Sequence, residues 1–187
     1  MPTTVGHAIA GAVAAWTADL IPGQRAWRTA HPTAGWYQRA GDGLTLVCAT
    51  LGALPDADLL FHIHRSFSHS IGAVIFVTIF AAAMAANAGR PIARIALMCG
   101  AAYATHLVLD WMAVDRYPPR GIQAFWPVSR AYFISGWDLF QQTERHAVLS
   151  WPTLQVNAHA IVRELAILVP PAIVVWILRG RTLRQYL

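Results

Sequence analysis

Lysine is absent from this chain, and all 14 basic residues are arginine. Charge of either sign is scarce: Asp, Glu, Lys and Arg make up 12% of the residues, about half the share of an ordinary soluble domain. Nine acids leave a formal net charge of +5, and the arginines form no dense cluster. That spread argues against a nucleic-acid partner and for loop asymmetry about a membrane. The only two cysteines, Cys48 and Cys99, stand singly in apolar stretches, so neither a CxxC metal site nor a disulfide framework is expected. A Gly-x-Ser-x-Gly elbow, a His-Glu-x-x-His helix, a Walker loop and a dinucleotide fingerprint are all missing, which removes the common serine hydrolases, zincin proteases and P-loop enzymes. No basic run opens the chain and His7 interrupts its first apolar stretch, so no cleavable signal peptide is expected.

What remains is apolar. Hydrophobic residues make up 56% of the chain and the mean hydropathy is +0.43, which points to a membrane protein. Its 187 residues suit a single domain, 1–187. Five apolar segments can be read: about Val5 to Ile21, Leu44 to Leu54, Ser70 to Ala88, Ile92 to Met112, and Ala160 to Leu178. Pro22-Gly23 stops the first, Pro55 the second, and Gly89-Arg90-Pro91 forms a tight turn between the third and fourth. Pro170-Pro171 is expected to interrupt the last. A span takes roughly 20 apolar residues, so the third and fourth segments satisfy it, the fifth follows, and the first two are short. The fold class expected is all-α, a membrane-embedded bundle with four or five bilayer helices.

Alternate threading through a bilayer collects Arg25, Arg28, Arg39, Arg90, Arg94, Arg179, Arg181 and Arg184 on one side. The positive-inside rule makes that side cytoplasmic. The same threading carries His7, the Asp56/Asp58 pair, the His64/His69 pair and the His106/Asp110 pair to the opposite side. Nothing in the charge count requires this convergence.

His and Asp are the usual ligands of Zn²⁺ and related ions, and ionisable groups beside spanning segments need a reason. His106 and Asp110 are four apart and share a helix face, where they form either a ligand pair or a hydrogen bond that satisfies two buried groups. Asp56 and Asp58 follow Pro55 and form either a capped turn or two convergent carboxylates, one of them free to accept a proton. His64 is placed in a loop and His69 in the first helical turn, with Arg65 beside them suited to an oxyanion. His62 is the weakest of the three histidines there. Ser68 or Ser70 caps the third segment. His7 alone would be a satisfied core histidine and gains weight only from the threading. His31, His146 and His159 read as surface residues, and no role is specified for Glu144 or Glu164. Trp111, Trp126, Trp137 and Trp151 fit an interfacial belt.

Gly-His near the N-terminus, Leu-Pro-Asp-x-Asp, His-Arg-x-x-Ser-His-Ser and His-x-x-x-Asp followed by Trp-Pro together resemble the YdjM-like, LexA-regulated, inner-membrane-associated metal-dependent hydrolases. The resemblance covers about residues 1–130, and Ser68 stands where that family usually has Thr. It implies an integral protein of the bacterial inner membrane. It also makes His7, Asp56, Asp58, His64, His69, His106 and Asp110 the metal and catalytic residues. The His-x-x-x-Asp pair also looks like a piece of the zinc phospholipase C and P1-nuclease group. The later His-x-x-x-Glu of that group is missing here, so its three-metal site is not carried over. The reading taken forward is a hydrolase with one or two divalent ions, Zn first and Mn or Fe as alternatives. The metal ligands are His7, Asp56, His64, His69, His106 and Asp110. Asp58 or Asp56 accepts the proton and Arg65 stabilises the oxyanion. The substrate is a phosphoester, a small molecule or a membrane lipid. An amidase or peptidase and a non-enzymatic metal-stabilised scaffold or transporter stay open as alternatives.

Overall fold

The computed structural model describes residues 2–18, 20–21, 42–61, 65–144, 147 and 149–184. Among these there are five α-helices: α1 (Thr4–Ala18), α2 (Asp42–Ala53), α3 (Ile71–Asn87), α4 (Ile92–Trp111) and α5 (Trp151–Arg184). Two 3-10 segments, Leu54–Phe61 and Phe67–His69, lie between α2 and α3. Only isolated bridges, Ala113 with Phe140 and Ile122 with Phe133, stand in for sheet among the described residues, so the all-α expectation holds.

The helix starts follow local chemistry. Thr3 Oγ1 accepts from Gly6 N at 3.2 Å and caps α1. Ser70 Oγ accepts from Ala73 N at 3.1 Å and caps α3, so Ser70 rather than Ser68 is the cap. This cap also corrects the placement of His69, which ends a 3-10 turn before α3 instead of opening the helix. At the far end of α3, Gly89 takes a left-handed φ of +62° and Arg90 N returns to Ala85 O at 2.8 Å, the turn expected there.

α4 is the hub, packing against α1, α2 and α3, while α5 packs along α1. The shared core is built of small residues, among them Ala15, Cys48, Ala81, Cys99 and Ala102. Small side chains let backbones approach closely, as between membrane helices. α1 and α2 cross at Gly11 and Gly52, where a Cβ on Gly11 would come within 3.1 Å of Gly52 Cα.

Among the described residues two helices are long and apolar enough to cross a membrane, α4 and the stretch Trp151–Thr182 of α5. α3 is apolar but has 17 residues, and α1 and α2 have 15 and 12. α5 departs from expectation. It begins at Trp151 instead of near Ala160 and continues through Pro170 and Pro171 for 34 residues. Apolar helices tolerate such prolines where neighbouring groups take up the freed backbone carbonyls. Ile75, Phe76, Ile79 and Phe80 of α3 and Ile173, Val174 and Ile177 of α5 point outward. Such apolar outer faces suit hydrocarbon surroundings.

Candidate metal centre

His7 lies in the first turn of α1, Asp56 and Asp58 in the 3-10 segment after α2, and His69 just before α3. His106 and Asp110 lie in the last turns of α4. Up-and-down packing therefore brings all of them to one end of the bundle. The opposite end is marked by Arg94 Nη2, which donates to Ala18 O at 2.5 Å.

Asp110 is the centre of the cluster. Its Oδ1 is 3.3 Å from His7 Nε2, and its Oδ2 is 3.4 Å from His69 Nε2 and 3.3 Å from His106 Nε2. His69 Nε2 and His106 Nε2 are 3.1 Å apart, and Asp56 Oδ1 is 3.8 Å from His106 Nε2. The His7 ring stacks on His106 with centroids 3.6 Å apart. His7, His69 and His106 are fully buried, and Asp110 is nearly so.

The surroundings fix which ring nitrogens face inward. His106 Nδ1 lies 2.8 Å from Gly52 O, an acceptor only, so it carries the hydrogen and leaves the Nε2 lone pair for the centre. His69 Nδ1 is 3.2 Å from Asp58 Oδ2, which Ser68 Oγ also reaches, donating at 2.5 Å. A carboxylate or carbonyl behind a histidine is the usual way to orient a metal-binding imidazole. Tyr103, on the same face of α4 as His106 and Asp110, donates to Ser68 O at 2.7 Å and holds the 3-10 turn in place.

The donor set fits a divalent ion. A tetrahedral ion with ligands at about 2.0–2.1 Å spaces its donors roughly 3.3 Å apart, and the inward-facing atoms of His69, His106 and Asp110 lie 3.1–3.4 Å from one another. Both nitrogens of His7, both oxygens of Asp110 and Asp56 Oδ1 are buried without a hydrogen-bond partner. Each such group left unsatisfied costs about 1–3 kcal/mol. Two triads, His69–His106–Asp110 and His7–Asp56–His106, have donors that all lie within 4.8 Å of one another. They share His106, which has one nitrogen to give.

His69 stands outside the spanning helices. Burial alone pushes its pKa down, but the Asp110 and Asp58 carboxylates beside it outweigh this and raise it to about 9. Without an ion, then, a proton sits between His69 and its neighbours. An ion entering there displaces it.

A family model matches residues 1–182. The chain belongs to the YdjM inner membrane protein family. No curated protein and no solved structure matches it. The family match reaches past the 1–130 motif core and takes in most of α5, which contributes directly to the centre's frame. Glu164 of α5 is buried and accepts from Thr3 N at 2.8 Å and Thr3 Oγ1 at 2.7 Å. Thr3 O in turn accepts from His7 N at 3.1 Å. A side chain on Gly6 would overlap the Glu164 carboxylate.

Five of the expected ligands therefore converge: His7, Asp56, His69, His106 and Asp110. Asp58 sits behind His69. His64, like His62, lies outside the described residues. Arg65, at φ +67°, pairs with Asp115 Oδ2 and donates to Tyr117 O and Pro119 O, both at 3.3 Å. Asp115 Oδ2 also accepts from Gly121 N at 2.7 Å. Arg65 thus binds the loop after α4 to the segment before α3, and Gln123 N donating to Arg65 O at 3.1 Å adds to that seam.

Proposed function

We propose that this protein is a membrane-bound metal-dependent hydrolase whose ion is held by His69, His106 and Asp110, with His7 and Asp56 flanking. The observation that carries the reading is the cluster itself: donors from separate chain segments stand at tetrahedral spacing, and both Asp110 oxygens, Asp56 Oδ1 and both His7 nitrogens are buried without a hydrogen-bond partner. Zn²⁺ or a similar ion would supply Lewis acidity and water activation at neutral pH. Asp58 and Gly52 O orient the two imidazoles. Asp56, whose side chain is 12% exposed, is the most accessible of the five donors. Its unpartnered Oδ1 is the group best able to take a proton. Arg65 could serve a substrate oxyanion only by loosening its pair with Asp115.

A phosphoester, of a small molecule or of a lipid, is the preferred substrate, since a site at the end of an apolar bundle meets the membrane surface. Trp137 and Trp151 are exposed near that end and suit the interface. Arg90 and Arg94 mark the other end, which the positive-inside rule makes cytoplasmic, and the centre then faces the non-cytoplasmic side of the inner membrane. In this reading α1, α2 and α3 are also bilayer-embedded.

The depth of burial favours a second reading, a structural ion that locks the helix ends together, because catalytic ions keep an open position. One experiment separates the two. Elemental analysis of the purified protein should give one divalent ion per chain, and the loaded protein should cleave members of a panel of phosphomonoesters and phosphodiesters. An ion without turnover over that panel leaves the structural role. No ion at all sinks both.

A further inference from the structure

A second feature opens at the end of the bundle remote from the metal centre and runs along α1 and α4 toward it. An apolar groove of about 1180 Å³ has α1 as its floor and α4 and α5 as its walls. Val13, Leu97, Ala101, Val108, Leu168 and Pro171 are among its lining residues, and the only charged ones among the described residues are Arg90 and Arg94. Both arginines stand where α3 turns into α4. From Arg94 to Leu109 the α4 wall rises about 22 Å, at roughly 1.5 Å per residue. This exceeds the depth of one leaflet's hydrocarbon, about 15 Å.

Further arginines lie at this end of the bundle. Trp16 of α1 meets Trp176 of α5 with ring centroids 4.9 Å apart, which sets the last turns of α5 beside the last turns of α1. Arg179 and Arg181 therefore belong to the same end as Arg90 and Arg94. Among the described residues no Asp or Glu lines the groove. A long apolar trough between two helices of spanning length, with a cationic mouth, has the chemistry of a phospholipid turned inside out.

We propose that the groove binds an anionic phospholipid of the surrounding bilayer, its phosphate at Arg90 and Arg94 and an acyl chain along α4 and α5. Arginine matches phosphate with two-pronged, charge-assisted hydrogen bonds. The apolar wall excludes water from the chain. The phosphate sits at the end away from the metal centre, so this lipid is a bound companion and not a substrate in that pose. The inference stands whether or not the protein is a hydrolase.

The test uses the full chain with Leu97 replaced by the photo-crosslinker p-benzoylphenylalanine, in vesicles of equal parts phosphatidylglycerol and phosphatidylcholine. Mass spectrometry of the adducts should show phosphatidylglycerol exceeding phosphatidylcholine roughly 25-fold, a factor of about five for each of the two arginines. Each arginine near a membrane surface is worth roughly a fivefold preference for anionic lipid. Arg90→Gln should therefore lower the enrichment about fivefold, and Arg90→Gln with Arg94→Gln should abolish it. Arg90 is exposed, so its single variant tests the site even if loss of the Arg94–Ala18 contact unsettles the fold. The same crosslinker at Phe76, on the outward face of α3, should return the bulk lipid ratio. Bulk ratio at Leu97 with the arginines intact would overturn the proposal. Adducts to a second copy of the chain, or to the chain's own residues 22–41, would overturn it as well.

Discussion

Replacing Asp58 with Asn keeps the shape of the side chain and removes its charge. Asp58 Oδ2 takes two contacts, from Ser68 Oγ at 2.5 Å and from His69 Nδ1 at 3.2 Å. It lies behind the ligand sphere, so Asp58→Asn should weaken metal binding without abolishing it. A hydrogen bond to a charged group is worth about 1.5–3 kcal/mol, or roughly 10- to 100-fold in affinity. The same range describes the loss of an outer carboxylate from a histidine–metal pair. The assay is competition with a chromogenic chelator at pH 8 on the detergent-solubilised chain. Ser68→Ala leaves the carboxylate charged and should cost less than about tenfold. Asp110→Asn removes a direct ligand and should cost far more than Asp58→Asn. If Asp58→Asn equals Asp110→Asn, Asp58 is itself a ligand. If it has no effect on affinity, the orientation of His69 does not depend on Asp58 and the argument fails.

His106→Ala and Asp110→Ala should each lower metal occupancy and abolish hydrolysis while far-ultraviolet circular dichroism stays near wild type. Metal loading at pH 8 should release about one proton per ion, from His69, measurable by dye indicator; release should vanish above pH 10. In the metal-free protein the same proton gives pH-dependent stability. The folded pKa, about 9, lies above the ordinary 6.5, so this contribution is complete below pH 6.5 and is lost as pH rises through 9, which denaturation midpoints across that window will show. Gly52→Val forces a side chain against the His7 backbone carbonyl and should destabilise the α1–α2 crossing by about 1–3 kcal/mol or more, lowering both the melting temperature and the metal content.

The sequence disclosed the centre better than the frame around it. His106 and Asp110 sit at a helical interval and could be paired by eye, and the convergence of His7, Asp56 and His69 followed from alternating helices alone. What holds these groups is not written in spacing. Gly52 acts through its backbone carbonyl, which every residue has. Glu164 finds Thr3 across 161 positions, and Arg65 finds Asp115 across 50. The stretch 112–144 has no period to read, and its bridges at Ala113 and Ile122 depend on tertiary docking. α5 was misjudged at both its start and its Pro-Pro step, because prolines that would break a water-exposed helix are tolerated in an apolar one.

The clamp between Thr3 and Glu164 orders events during synthesis. His7 leaves the ribosome long before Glu164. Until α5 is made and inserted, the first turn of α1 lacks the carboxylate that fastens it, and Asp110 waits for its third histidine. A chain stopped between Asp110 and α5 carries all five donor residues and still lacks the anchor of His7. Completion of the donor cluster therefore reports that α5 is in place.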